Sequence, residues 1–304
     1  KNTNRGIFTP FYKGTHNSFF YDFKISKCRI FHKDAKSYSI LDISLDGKRV
    51  MTISNDSGNS LGNRLRIVEV GTNKIFLELN SMYIYEAYFT GNPQYILCRG
   101  KDYNIVNTFV YDIIEQKIVY ILRENIFISN GCFDEKRTYF LYPSSYEDNT
   151  INQLNLFNLS DAKFVVDYSN IKISKVCLIN KKDLALIDGN NAIYLYANKR
   201  IYWKLDLFLL FTSEYEGGIF YLDRKIYLDT PAHVRESSDA EIISSTVLFR
   251  IDEDSGNLEY LVLPSDIKFK RFTTMFGYKI IDASGNVFDV RNNKLQHFPL
   301  KLYR

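Results

Sequence analysis

A pair of short strands joined by a tight turn recurs along the chain, and this repeat limits what the chain can fold into more than any other feature. The clearest copy is Ile43-Ser44-Leu45-Asp46-Gly47-Lys48-Arg49-Val50-Met51-Thr52-Ile53-Ser54, which reads strand, Asp-Gly turn, strand. A polar stretch follows at 55–63. Residues 65–70 then read as a third strand, Gly71-Thr72-Asn73 as a turn and 74–79 as a fourth strand. Apolar residues alternate with a period near 2, and turn residues stand at each break. We label the four strands a to d. The c–d pair returns at 19–31, 108–122, 154–166, 192–205, 246–262 and 286–298. That makes seven copies spaced by roughly 40–45 residues. Earlier strand pairs are also visible, 176–178 with 184–187 and 131–133 with 138–141. No long segment shows the 3.6-residue period of a helix.

The second copy, at residues 43–49 and 65–70, resembles a divergent WD-repeat-type β-propeller. The place of the Trp-Asp dipeptide is taken by Tyr21-Asp22, Tyr111-Asp112 and Phe288-Asp289. Elsewhere it is taken by Val68-Glu69, Phe157-Asn158, Tyr196-Ala197 and Phe249-Arg250. The Gly-His dipeptide is absent. Resemblance and spacing together imply an all-β fold, a seven-bladed β-propeller of four-stranded antiparallel blades in one domain over 1–304. The expected blades are about 1–35, 36–80, 81–124, 125–169, 170–206, 207–264 and 265–304. The first copy has room for strands b, c and d only. Its strand a is expected from upstream of Lys1 or from 300–303, with the termini closing the ring in the same or adjacent blades.

Composition fits this reading. Aromatic residues make up 15% of the chain, with Tyr 23 and Phe 23 against Trp 1. Rings alternating in strands c and d would fill the gaps between blades. Hydrophobic residues at 45% and charged residues at 24% exclude a disordered or coiled-coil chain. A net charge of +4 is too mild to make nucleic acid the expected partner. The densest apolar run, 205–211, is short and carries Asp206, so no membrane-spanning segment is expected. The start, Lys1-Asn2-Thr3-Asn4-Arg5, has no Met and no apolar core, which points to trimming and leaves room for a removed signal sequence. Cys28, Cys98, Cys132 and Cys177 each sit in an apolar run without a C-x-x-C or a nearby His. They read as buried free thiols, which favours a reducing, cytoplasmic setting.

The functional reading rests on loops. The expected b–c loops are 55–63, 100–107, 143–152 and 229–245, with short ones at 188–191 and 282–285. Long variable loops on one face of a rigid scaffold are where binding concentrates. Together they hold ten carboxylates against Lys101 and Arg235, a net −8 on a chain of net +4. An acidic face disfavours nucleic acid and suits a protein partner with a basic surface. Tyr83, Tyr85, Tyr103, Tyr146, Glu147, Asp148, His233 and Arg235 are the candidate contacts. Motifs for hydrolases, nucleotide sites and zinc are missing, so no catalytic residue and no cofactor are expected. The run Asp252-Glu253-Asp254-Ser255-Gly256-Asn257-Leu258-Glu259 has the D-x-D-x-G start of a calcium loop, with Asp252, Asp254 and Glu259 as ligands. It falls where other copies have a c–d turn, so a turn is the stronger reading. The expected function is a non-catalytic interaction module, a scaffold subunit or a binder that neutralises a toxin. The alternative is a propeller hydrolase or carbohydrate-binding protein with a site at the mouth of a central channel.

Overall fold

The computed structural model describes residues 5–8, 18–22, 27–32, 38–54, 64–80, 82–102, 105–122, 126–128, 131–134, 136–147, 150–173, 175–187, 192–197, 200–206, 219–222, 224–229, 247–262, 274–276, 279–281, 286–289 and 294–297. These residues form strands and turns, with no α-helix among them. The strands build antiparallel sheets in chain order, because each hairpin is closed by a local turn. The first sheet has three strands, β1 (Arg5–Phe8), β2 (Ser18–Asp22) and β3 (Lys27–His32). The second has β4 (Tyr38–Ile43), β5 (Arg49–Ser54), β6 (Arg64–Glu69) and β7 (Ile75–Leu79). The third has β8 (Tyr83–Phe89), β9 (Tyr95–Asp102), β10 (Ile105–Asp112) and β11 (Lys117–Ile121). The fourth has β12 (Cys132–Phe133), β13 (Tyr139–Glu147), β14 (Thr150–Asn158) and β15 (Lys163–Ile173).

The fifth sheet has β16 (Lys175–Leu178), β17 (Asp183–Ile187), β18 (Ala192–Ala197) and β19 (Arg200–Asp206). The sixth has β20 (Ile219–Leu222), β21 (Lys225–Asp229), β22 (Val247–Asp252) and β23 (Leu258–Val262). The seventh has β24 (Thr274–Phe276), β25 (Lys279–Ile281), β26 (Asn286–Asp289) and β27 (Lys294–His297). Every expected c–d pair is a hairpin, and among the described residues the first sheet has three strands. Residues 300–303 and the expected meeting of the termini lie outside the described residues. The chain divides into two compact units, Lys1–Ser145 with Gln153–Ser169, and Tyr146–Asn152 with Asn170–Arg304.

A shared turn explains why the c–d hairpins were so easy to read. Asp112 Oδ1 accepts the backbone N–H of Ile114 and of Glu115. Asn158 Oδ1 accepts those of Ser160 and Asp161, and Asp252 Oδ1 those of Asp254 and Ser255. Four residues after each cap the backbone turns to positive φ, at Gln116 (52°), Ala162 (51°) and Gly256 (69°). Asn73 does the same (56°) four residues after Glu69. The side-chain oxygen satisfies the N–H groups that the turn leaves unpaired. The position that a WD repeat fills with Asp is thus a turn cap here. In the sixth sheet that position is Ile251-Asp252, two residues later than the expected Phe249-Arg250, because β22 runs on to Asp252 before it turns.

In the first unit, alternation sends the two faces of the third sheet into two cores. Ile96 and Cys98 of β9 and Phe109 and Tyr111 of β10 pack with Met51, Ile53, Leu65 and Ile67 of the second sheet. Leu97 and Val110, one residue out of phase, pack with Phe140, Tyr142 and Phe157 of the fourth. β4 lies against β8, first strand beside first strand. In the second unit, β16 lies against β20 in the same way. There Cys177, Ala185, Ile187 and Leu195 of the fifth sheet share a core with Ile226, Leu228, Phe249 and Ile251 of the sixth. Part of the aromatic excess goes into these layers. Phe109, Phe140, Phe157 and Phe249 are fully buried, each worth about 1.5–3 kcal/mol of burial. Tyr120 meets Phe157 across the third and fourth sheets with ring centroids 4.8 Å apart.

The cysteines divide differently from expectation. Cys98 and Cys177 are buried, whereas Cys132 is half-buried, because β12 is only two residues long and shields it less. None of the three is in a disulfide with another described residue, and the side chain of Cys28 lies outside those described. No helix among the described residues is long and apolar enough to cross a membrane.

Candidate functional site: rings and cations at one end of the third sheet

The end of the third sheet where β8 begins and β9 finishes carries an exposed group of rings and cations. β8 is bulged here. Ile84 pairs with Gly100 and Glu86 with Arg99, so Tyr85 is the extra residue. A bulge re-aims a side chain. Tyr85 stands beside Tyr83, with ring centroids 4.8 Å apart and planes tilted by 49°, and both rings are exposed. Gly100 lets the strands close up at this point. A Cβ there would lie 2.8 Å from Ile84 Cδ1 and 2.9 Å from the carbonyl oxygen of Tyr83. Any larger residue would push the start of β8 away.

Phe127 approaches from the connection before the fourth sheet. Its neighbours Ile126 and Ile128 are 5% and 1% exposed, while Phe127 itself is 50% exposed. The segment is tied down on both sides. The buried Thr108 hydroxyl donates to the carbonyl of Ile126 at 2.8 Å and accepts its N–H at 3.1 Å. The Glu86 carboxylate accepts the N–H of Ile128 at 2.6 Å. With both isoleucines buried, Phe127 between them stands outward. The Arg99 guanidinium lies 3.9 Å above the Phe127 ring and 5.2 Å from that of Tyr85. Such stacking is worth roughly 0.5–1 kcal/mol at an exposed site and holds the rings in place.

Charge follows strand alternation. Cys98 and Gly100 are buried, so Arg99 and Lys101 project to the other side of β9. Arg99 pairs in register with Glu86, and Lys101 with Tyr83 on one side and Val106 on the other. Lys101 therefore faces no carboxylate across either strand.

Of the expected contacts, the structure brings Tyr83 and Tyr85 together. Tyr146 and Glu147 lie at the end of β13. Tyr103, Asp148, His233 and Arg235 lie outside the described residues, as do the expected loops 55–63 and 188–191. So do 282–285 and all of 229–245 except Asp229, which ends β21. Two expected loops are instead hairpin ends. β9 and β10 pair through Asp102 with Ile105, leaving only 103–104 between them. β13 and β14 leave only 148–149. Polar residues at 100–107 and 143–152 read as loop, but the ladder takes in 100–102, 105–107, 143–147 and 150–152 and pairs their backbone. Arg99 and Phe127 were missed. The available signal was the apolar-exposed-apolar reading of Ile126-Phe127-Ile128, which three apolar residues conceal.

The acidic run of the sixth sheet is a turn that locks onto its neighbour. Asp252 Oδ1 caps the turn, and its carboxylate is paired with Lys225 at 3.4 Å. The Ser255 N–H and hydroxyl and the Lys225 ammonium hold the Asp252 carboxyl down at about 2. Asp254 is paired with Arg224, and Glu259 with Arg250. Each of the three carboxylates thus answers a different cation. No group of three His, Cys, Asp or Glu among the described residues could hold a metal. Trp203 of β19 donates its indole N–H to the carbonyl of Glu253 at 2.8 Å. Gly256 lies under the same ring, where a Cβ would come within 3.2 Å of it.

The sequence matches no protein-family model and no curated protein. Solved structures do resemble the fold. An uncharacterized protein, lmo1340 of Listeria monocytogenes EGD-e, has 12% identity and a TM-score of 0.60 over 98% of this chain and 93% of its own. A chain of a mitotic checkpoint complex has 9% identity and a TM-score of 0.54, covering 92% of this chain and 83% of that one. The Kuenenia stuttgartiensis hydrazine synthase has 13% identity and a TM-score of 0.50 over 84% and 74%. At such identities the likeness is one of fold, and the fold is propeller-like.

Proposed function

We propose that the chain is a non-catalytic protein-interaction module built as one seven-bladed propeller closed by its termini. The partner binds on the face where the d–a and b–c connections gather. The observation that carries this reading is the exposed group of Tyr83, Tyr85, Arg99 and Phe127. Rings held rigid in solvent do little for the fold, and aromatic and Arg side chains are the usual anchors of interfaces. The acidic residues that the sequence puts in the b–c connections suit a partner with a basic surface, and the chain's role would be that of a scaffold subunit or a toxin-neutralising binder in the cytoplasm. No catalysis is proposed. The test is affinity isolation from the native source with the unmodified protein and with a Tyr85→Ala/Phe127→Ala variant. A partner recovered near one-to-one with the first and depleted with the second is the expected result. Recovery of no stoichiometric partner sinks the reading.

A further inference from the structure

The geometry points to a specific occupant of the third-sheet patch: an extended acidic segment of a partner protein. It would set a carboxylate against Lys101 and an apolar side chain on the Tyr83, Tyr85 and Phe127 rings. This rests on the interaction-module reading and adds the chemistry of the occupant. Two observations carry it. The rings are preorganised, Tyr85 by the β8 bulge and Phe127 by the Thr108 and Glu86 hydrogen bonds to its neighbours. Little side-chain freedom is then lost on binding, which is where interface affinity is usually spent. Lys101 lies between Tyr83 and Val106 in register, and no described carboxylate pairs with it. A carboxylate placed there gains a charged hydrogen bond at the rim of an apolar contact.

The sign is local. Glu86, the acid of this face, is bound to the Ile128 N–H and paired in register with Arg99. A nucleic acid strand could also stack on rings, but it needs a line of cations along its phosphates. Among the described residues of β8 and β9, only Arg99 and Lys101 are cations on this face, and Glu86 stands opposite Arg99 in register.

The test is fluorescence anisotropy with labelled peptides of equal length that alternate Glu with Phe, Lys with Phe, and Glu with Ser, beside an oligothymidine strand. The Glu–Phe peptide is expected to bind, and Phe127→Ala and Lys101→Glu each to weaken it about tenfold or more. Ile114→Ala, an exposed change in the c–d turn at the other end of the sheet, is expected to leave binding unchanged. Equal or tighter binding of the Lys–Phe peptide, the Glu–Ser peptide or the oligonucleotide overturns the proposal. So does absence of binding, or binding that ignores Phe127 and Lys101. Preference for the Lys–Phe peptide that both variants abolish overturns the acidic occupant alone and leaves the interaction module standing. The module itself falls only with the missing partner in the isolation experiment.

Discussion

Replacing Asp42 with Ala is expected to destabilise the protein by about 3 kcal/mol, more than any surface ion pair would. Asp42 sits on β4 with its side chain 8% exposed. Its carboxylate accepts a two-pronged bond from Arg137, through Nη1 and, at 3.0 Å, through Nη2. It also accepts the backbone N–H of Phe89 on β8 at 2.8 Å. Arg137 comes from the turn between β12 and β13 and donates to the carbonyl of Phe89 at 3.2 Å. One carboxylate therefore ties the second, third and fourth sheets together across 95 residues. Removing it strands a guanidinium that is 23% exposed and a backbone N–H. Charged hydrogen bonds are worth roughly 1.5–3 kcal/mol each and the residual water access lowers the sum, which gives about 3 kcal/mol. The unfolded fraction should rise on the order of a hundredfold. Urea unfolding followed by far-UV circular dichroism reads the loss. A cycle of Asp42→Ala, Arg137→Ala and the double variant isolates the coupling, expected at 1 kcal/mol or more by the usual range of about 0.5–3. The single tryptophan adds a second reading, because Trp203 lies in the unit that does not hold Asp42. The proposed closed ring predicts that the Trp203 fluorescence transition shifts together with the circular dichroism transition. A change within about 0.5 kcal/mol of the unmodified protein, or a double variant that is simply additive, refutes the clamp.

Three further outcomes are expected. The depressed Asp252 carboxyl stabilises the folded state above the unfolded carboxylate range and loses that contribution as pH falls through its folded value. Acid titration should then show stability dropping between about pH 4 and about 2, with Asp252→Asn flattening that slope. Desolvation opposes the same effect at Asp112, but the Glu115 N–H, the Gln94 amide and the Ile114 N–H outweigh it and hold that carboxyl low as well. Gly256→Ala should cost about 1 kcal/mol or more in urea unfolding, since it puts a Cβ at φ 69° and against Trp203, whereas Ser255→Ala should cost less. Burial pushes the Cys98 thiol up, so of Cys98, Cys132 and Cys177 a thiol reagent should modify Cys132 before the other two, which react only as the protein unfolds.

The c–d hairpins were legible because everything that forms them is local. An alternating run ends on Asp or Asn, four residues turn the chain, and a second alternating run begins. Asp112, Asn158 and Asp252 cap their own turns, so sequence neighbours suffice to read them. The b–c hairpins were less legible, since Lys101-Asp102 and Asn107 look like loop until β9 and β10 are paired. The patch was half legible. Tyr83 and Tyr85 were visible as aromatics at the start of a strand. Phe127 was hidden between two isoleucines, because its outward direction depends on Thr108 and Glu86 taking the backbone of its neighbours.

The sequence by itself determined a repeating all-β chain and the c–d hairpin of each repeat. These follow from side-chain period and turn chemistry over a few residues. Only tertiary structure decided that Cys98 and Leu97, adjacent in β9, enter different cores, and that Asp42 answers Arg137. It also decided that the turn in 252–259 locks onto Trp203 and that Asp254 answers Arg224, and that Arg99 lies over Phe127. Each of these joins groups whose approach depends on how one sheet packs against the next, a distance that no local pattern encodes.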